Sequence, residues 1–210
     1  MFDAPTLLSY LAAATLLVIA PGPNQMLVLA RSVSGGRSVG VATALGLGLG
    51  SFVHTLAAAF GLSQLLARSA SLYAVLQYLG AAYLVFLGVK AFRTRAEMPA
   101  APTPLGRLGT QRAVARGAMT GILNPKVALF FIAFLPQFVR PERGHVMLQF
   151  TVLGLLFCLL AVLGDTTVAL AAGSISQTFR RHPGWAAWRE RALGAVLVAL
   201  GLRLAFARRA

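Results

Sequence analysis

Lys126 stands in the middle of an apolar run, Gly121-Ile122-Leu123-Asn124-Pro125-Lys126-Val127-Ala128-Leu129-Phe130-Phe131, where a charge and a helix breaker occur together. A charge at the centre of a membrane helix costs roughly 2.5–3.5 kcal/mol on insertion scales, so such residues face a cavity or a partner. A second apolar run, Leu7 to Ala30, is interrupted by Pro21-Gly22-Pro23-Asn24. Proline removes a backbone donor and clashes with the turn before it. Pro21, Pro23 and Pro125 should therefore free backbone groups within the membrane, where they are tolerated only if buried in protein or lining a wet cavity. Half-helix N-termini offer N–H groups and a positive dipole end to an anion such as a carboxylate. Freed carbonyls, with the amides of Asn24 and Asn124, can meet an ammonium. Plain packing kinks are the alternative, but the breaks are paired, one in each half, and carry Asn and Lys. That pairing points to the substrate site of a secondary transporter.

Asp165, in Val162-Leu163-Gly164-Asp165-Thr166-Thr167, is the only acid within an apolar segment. It needs a partner or a proton. Three roles fit: an ion pair with Lys126, a proton carrier, or a site for a substrate's amino group. A buried ion pair that only fixes packing is the structural alternative. His54 lies near the place in the first half that Asp165 holds in the second, and could relay protons near neutral pH or rest neutral on a backbone carbonyl. Tyr83 and Gln77 could line the same cavity, which the sequence leaves open.

The elements that must position these residues follow from composition. The chain of 210 residues is 58% hydrophobic and 11% charged, too apolar to cover a soluble globule. The net charge of +14 comes from basic residues clustered at the ends of apolar segments, as membrane anchors are, without the basic and stacking stripe that nucleic acid needs. A single cysteine, Cys158, allows neither a disulfide framework nor a redox pair. His54, His145 and His182 are far apart and the acids scattered, so no metal site is expected and no cofactor is implied. No nucleophile sits beside a recognisable base, which leaves an intramembrane hydrolase without support and the chain without the marks of an enzyme. Gly46-Leu47-Gly48-Leu49-Gly50 matches a phosphate loop by letter only, since no strand precedes it. With Ala57-Ala58-Ala59 and Gly117-Ala118-Met119-Thr120-Gly121 it reads as a close-packing surface, which permits a homodimer without requiring one.

A spanning helix needs about 20 mostly apolar residues. Six segments qualify, at roughly 6–30, 40–62, 72–92, 117–139, 146–173 and 192–207, in a single membrane domain over 1–210. The N-terminal stretch reads as the first of these rather than as a cleaved signal, and no soluble domain is expected on either side. Residues 93–116 read as an exposed basic loop with Pro99, Pro102 and Pro104, and a second basic linker runs from Arg180 to Arg191 past Trp185 and Trp188. Leu84-Val85-Phe86-Leu87-Gly88-Val89-Lys90 matches Leu197-Val198-Ala199-Leu200-Gly201-Leu202-Arg203, and the broken first span matches the broken fourth. Repeats over about 1–92 and 117–210 follow. Three helices per repeat is an odd number, so the second repeat is inverted relative to the first. Lys90 and Arg203 would then anchor equivalent helix ends on opposite faces. Basic residues outside the spans favour an outer N-terminus by two to one, which places the 93–116 loop in the cytoplasm, although the basic C-terminal tail argues the other way.

Ala20-Pro21-Gly22-Pro23-Asn24 and Leu123-Asn124-Pro125-Lys126 resemble the signatures of the LysE/RhtB amino-acid exporters. Gly80-Ala81-Ala82-Tyr83-Leu84 with Leu87-Gly88, the long basic loop and Asp165 extend the resemblance along the whole chain. The resemblance implies export of amino acids or close derivatives across the bacterial inner membrane, driven by the proton gradient. Members of the family differ in substrate among lysine, arginine, homoserine, threonine, leucine and cysteine-type compounds. One intramembrane acid fits a neutral zwitterion better than a dibasic substrate. The substrate-binding set expected is Pro21, Gly22, Pro23, Asn24, Asn124, Pro125, Lys126 and Asp165, with Asp165 and His54 as candidates for proton coupling. The alternative is an exporter of inorganic or metal cations on a related scaffold, with Asp165 and His54 as ligands.

Overall fold

A computed structural model describes residues 2–19, 22–68, 70–93, 109–172 and 183–206, and these are helical, with no strand among the described residues. Helix α1 (Ala4–Ile19) starts at Asp3, whose Oδ1 accepts from Thr6 N at 2.9 Å and so satisfies one of the amides a helix start leaves open. Helix α2 (Pro23–Gly35) starts with proline in its first turn, where the missing N–H costs nothing. It ends at Gly36, whose φ of +86° is accessible to glycine and strained for any other residue there. Helix α3 (Arg37–Ala57) continues through a π turn, Ala58–Leu62, into α4 (Ser63–Arg68). Helix α5 covers Ala70–Arg93 and α6 covers Thr110–Ile122. After a break at Leu123 and Asn124, α7 (Pro125–Leu129) runs on through a π turn, Phe130–Phe134, and a 3-10 turn, Leu135–Phe138. A second short 3-10 turn, Pro141–Arg143, leads into α8 (Val146–Leu170), and α9 covers Pro183–Phe206.

Among the described residues, two helical stretches are long and apolar enough to cross a membrane, Arg37–Leu66 and Val146–Leu170. Two further pairs qualify if each is taken as one broken span: α1 with α2, bent by 51°, and α6 with α7, bent by 47°. The expected spans 6–30 and 117–139 correspond to these bent pairs. Helices α5 and α9, 24 residues each, lie where the spans 72–92 and 192–207 are expected and pack against each other.

Several expected boundaries move outward. Residues 110–116, read from the sequence as the end of an exposed loop, form the first two turns of α6, and 183–191, read as linker, are helical in α9. Hydropathy marks the lipid-embedded stretch, whereas a helix satisfies its own backbone and continues into the headgroup and aqueous layers. Residues 94–108 and 173–182 lie outside the described residues, and with them most of the basic loop and the start of the second linker.

The packing crosses between the two halves of the chain. Helix α3 packs on α6 and α8, α8 also packs on α1 and α2, and α5 pairs with α9. The α3–α6 seam is built from glycine: a Cβ at Gly50 would lie 2.7 Å from the Gly121 backbone, and one at Gly117 would collide with the Thr43 carbonyl. The small-residue surfaces at 46–50 and 117–121 thus meet each other. In lipid, where apolar side chains gain nothing by leaving solvent, such close backbone approach supplies the dispersion contact that holds helices together. Beside the seam, an aromatic cluster of Tyr10, Phe130, Phe131, Phe134, Phe138 and Phe157 fills the interior. The Tyr10 hydroxyl donates to the Leu153 carbonyl at 2.5 Å, tying α1 to α8.

Candidate functional site

The two helix breaks meet. Asn124 Oδ1 accepts from Lys126 N at 2.9 Å, capping α7, while Asn124 Nδ2 donates to Asn24 Oδ1 at 2.6 Å, joining the second break to the first turn of α2. One side chain thus ends one helix gap and binds the other, and it is buried while doing so. The backbone reason lies in Pro125: a residue before proline is driven from the helical region, and Asn124 accordingly has ψ 108°. Asparagine suits that position because its short amide can accept from the turn it precedes.

Lys126 leaves α7 toward the first break, and its Nζ donates to the carbonyl of Leu17 at 2.8 Å, in the last turn of α1. The last carbonyls of a helix lack internal donors and carry its negative dipole end, so a cation is favoured there. Gly22 lies over this lysine: a Cβ built on it would stand 3.5 Å from both Cδ and Nζ, ordinary contact distance. Gln25 Nε2 donates to the next carbonyl, Val18, at 2.6 Å. Met26 N bonds Gly22 O at 3.1 Å, which leaves the amides of Asn24 and Gln25 as those that α2 cannot satisfy internally.

Asp165 completes the site from α8. It is 4% exposed and lines the same cavity as Lys126. Helix α8 comes close enough because residue 164 is glycine, where a Cβ would lie 2.6 Å from Val18 Cγ1. The groups enclose a cavity of ≈ 30 Å³ lined by Leu17, Val18, Gly22, Asn24, Gln25, Ser51, Asn124, Lys126, Val127, Phe157, Ala161 and Asp165. That is room for roughly two water molecules.

Five of the residues singled out from the sequence, Gly22, Asn24, Asn124, Lys126 and Asp165, therefore line one cavity, from three elements. Pro23 and Pro125 start the two half-helices and do not line it. Pro21 lies outside the described residues, as does the side chain of Gln77. His54 stands apart from the cavity: its Nε2 lies 3.3 Å from the Gly121 carbonyl, a contact that requires the proton on that nitrogen, and its ring packs on Phe131 at 5.8 Å. Tyr83 does not line the cavity either, and its ring faces Phe86. Among the described residues, no three His, Cys, Asp or Glu side chains gather in a metal-binding group. Sequence reasoning missed Leu17, Val18, Val127, Gln25, Ser51, Phe157 and Ala161. The last two were detectable in principle, since they precede Asp165 by eight and four residues and so share its helix face.

The chain belongs to the LysE type translocator family, whose profile matches residues 15–208. Over 203 residues it is 32% identical to an uncharacterized membrane protein of Pseudomonas aeruginosa, covering 95% of this chain and 94% of the relative. It is 32% identical to the leucine efflux protein of Salmonella typhimurium over 151 residues, 69% of this chain and 68% of that one. A homoserine/homoserine lactone efflux protein of the same organism is 29% identical over 206 residues, 96% of this chain and 97% of the relative. No solved structure matches the chain.

Proposed function

We propose that this protein exports a neutral amino acid or a close derivative across the bacterial inner membrane, driven by the proton gradient. It moves its substrate rather than transforming it. The observation that carries the reading is the single cavity that gathers a lysine, a buried acid and the start of a half-helix inside an apolar protein. A substrate carboxylate fits against Lys126 and the amides of the first turn of α2, and its ammonium fits Asp165. Each charged group then finds an opposite charge, which matters because an unpaired charge in a low-dielectric interior is costly. The names of the leucine and homoserine efflux relatives agree with such a substrate.

Six spans arranged as two inverted repeats explain the crossed packing. Under that arrangement α3 of one repeat and α8 of the other have equivalent positions, each lying against the opposite repeat's broken span, and α5 and α9 pair as equivalents. An ion pair adds support. Asp3 before α1 and Arg143 before α8 are bound at 3.0 Å, which agrees with their lying on one side of the membrane with an even number of crossings between them. The α1–α2 pair, α3 and the α6–α7 pair supply three, and α5 is the available fourth. With the N-terminus outside, the 93–116 loop is cytoplasmic.

Ligand pockets for small molecules measure roughly 300–1,000 Å³. A cavity of ≈ 30 Å³ must widen to admit an amino acid, and rocking of the repeats about the breaks would open it to each side in turn. Asp165 carries the proton in this scheme, while His54 fastens α3 to α6. No observation favours the cation-exporter reading, whose two proposed ligands do not share the cavity. The test is transport of radiolabelled amino acids by proteoliposomes with an imposed proton gradient. Asp165→Asn and Lys126→Ala should abolish it while the protein remains inserted; normal rates in both would sink the proposed site.

A further inference from the structure

Resting on that reading of the cavity, we propose that α8 measures the substrate's side chain and that Ala161 is the residue that sets which side chains pass, selecting monoamino, monocarboxylic amino acids with short uncharged side chains. Phe157, Ala161 and Asp165 recur every four residues along α8, so they form one row facing the cavity, spaced by about 6 Å per step. Side chains on a helix tilt toward its N-terminus, which leans the Asp165 carboxyl toward Ala161. The charged and amide groups gather at the helix breaks, so a bound amino acid held by its ammonium at Asp165 and its carboxylate at Lys126 has its side chain directed along the apolar remainder of the wall.

At its far end that wall is backed by packed aromatic rings. Phe157 is 2% exposed, stacked on Phe130 with ring centroids 4.7 Å apart and edge-on to Phe131 at 5.3 Å. Tyr10 ties α8 to α1 through the Leu153 carbonyl, and Val18 sits against Gly164. Ala161 is thus the small residue between the acid and the ring on one face of α8, and each carbon added there is subtracted from the space for substrate. Asp165 is the sole acid among the lining residues, so a second substrate cation would have no counter-charge.

The experiment is competitive uptake into inverted vesicles with labelled alanine, threonine, leucine, phenylalanine and lysine, for the parent protein, Ala161→Gly, Ala161→Leu and the lipid-facing control Leu159→Ala. A one-carbon change in an apolar pocket alters discrimination by about tenfold or more. Ala161→Gly should raise the rates for leucine and phenylalanine relative to alanine by that factor, Ala161→Leu should lower them, and Leu159→Ala should leave the ratios unchanged. Should Ala161→Leu fail to insert, Ala161→Gly decides alone. Unchanged ratios in an Ala161 variant that still transports, or parental transport of lysine at the rate of threonine, would overturn the ruler while leaving the exporter reading standing. Transport of none of these amino acids by the parent protein would overturn both.

Discussion

Asn124 shows how much one side chain can join. Its carbonyl oxygen caps α7 and its amide nitrogen binds Asn24, so the two helix breaks share a single amide. These two contributions can be separated. Asn124→Ala removes both, and losing a helix cap of this type costs about 1 kcal/mol with a similar amount for the hydrogen bond. Asn24→Ala removes only the second and leaves the cap in place. Unfolding in mild detergent should therefore show Asn124→Ala to be destabilised by about 1 kcal/mol more than Asn24→Ala. Equal losses would mean that the cap contributes nothing. Lys126 is less separable, because its ammonium binds the Leu17 carbonyl of α1 and lines the cavity together with Asp165.

At the scale of elements, the α3–α6 seam and the break before α7 carry different burdens. Glycine at 46, 50, 117 and 121 lets two backbones touch, and added side chains there meet backbone atoms that cannot swing aside. Gly117→Val should lower stability by about 1–3 kcal/mol or prevent insertion. Leu45→Ala, one residue along on the half-exposed face, should fall within about 0.5 kcal/mol of the parent. Pro125 acts through geometry instead. Alanine at 125 lets Asn124 return to helical angles and lets α6 run into α7, reducing their 47° bend. Pro125→Ala is expected to insert normally and to transport slowly, with the loss in turnover rather than in apparent affinity. A fully active variant would show that the break plays no part in the cycle.

For the whole molecule, the ties on the Asp3 side link the start of the first broken span to the end of the second. Asp3 binds Arg143 at 3.0 Å, and Arg140 Nη2 lies 3.4 Å from Thr6 Oγ1. Hydrogen bonds from Thr6, side chain and then backbone, hold the Asp3 carboxyl below its ordinary value, and Arg143 and Arg140 add to this. A carboxylate depressed in the folded state contributes stability above its unfolded pKa and loses it as pH falls through the folded one. The difference in melting temperature between the parent and Asp3→Asn should therefore be present at neutral pH and shrink below the usual carboxylate range. A difference that stays constant with pH would assign the tie to shape rather than charge. These exposed ties are also the contacts that must part if the repeats rock open toward that face.

Residues 123–126 and 20–24 stood out in the sequence, because proline and charge inside an apolar run are physically expensive wherever they occur. The same reasoning singled out Asp165 as the lone acid of its segment, and each apolar segment expected from hydropathy overlaps a helix or a bent helix pair among the described residues. Chain pattern alone could not say that Lys126 would spend its ammonium on a carbonyl of α1, or that His54 would be drawn to Gly121 rather than to the cavity. It could not say that the glycine surfaces would meet within one chain. Those outcomes depend on which helices lie side by side, and neighbours distant in sequence are chosen by packing. The sequence by itself determined a helical membrane chain, its breaks and its internal charges, since each follows from the cost of putting that residue in lipid. Only the tertiary structure decided that both breaks, one lysine, one acid and Ala161 share a cavity, since that rests on the glycine contacts that bring α1, α2, α7 and α8 within reach of one another.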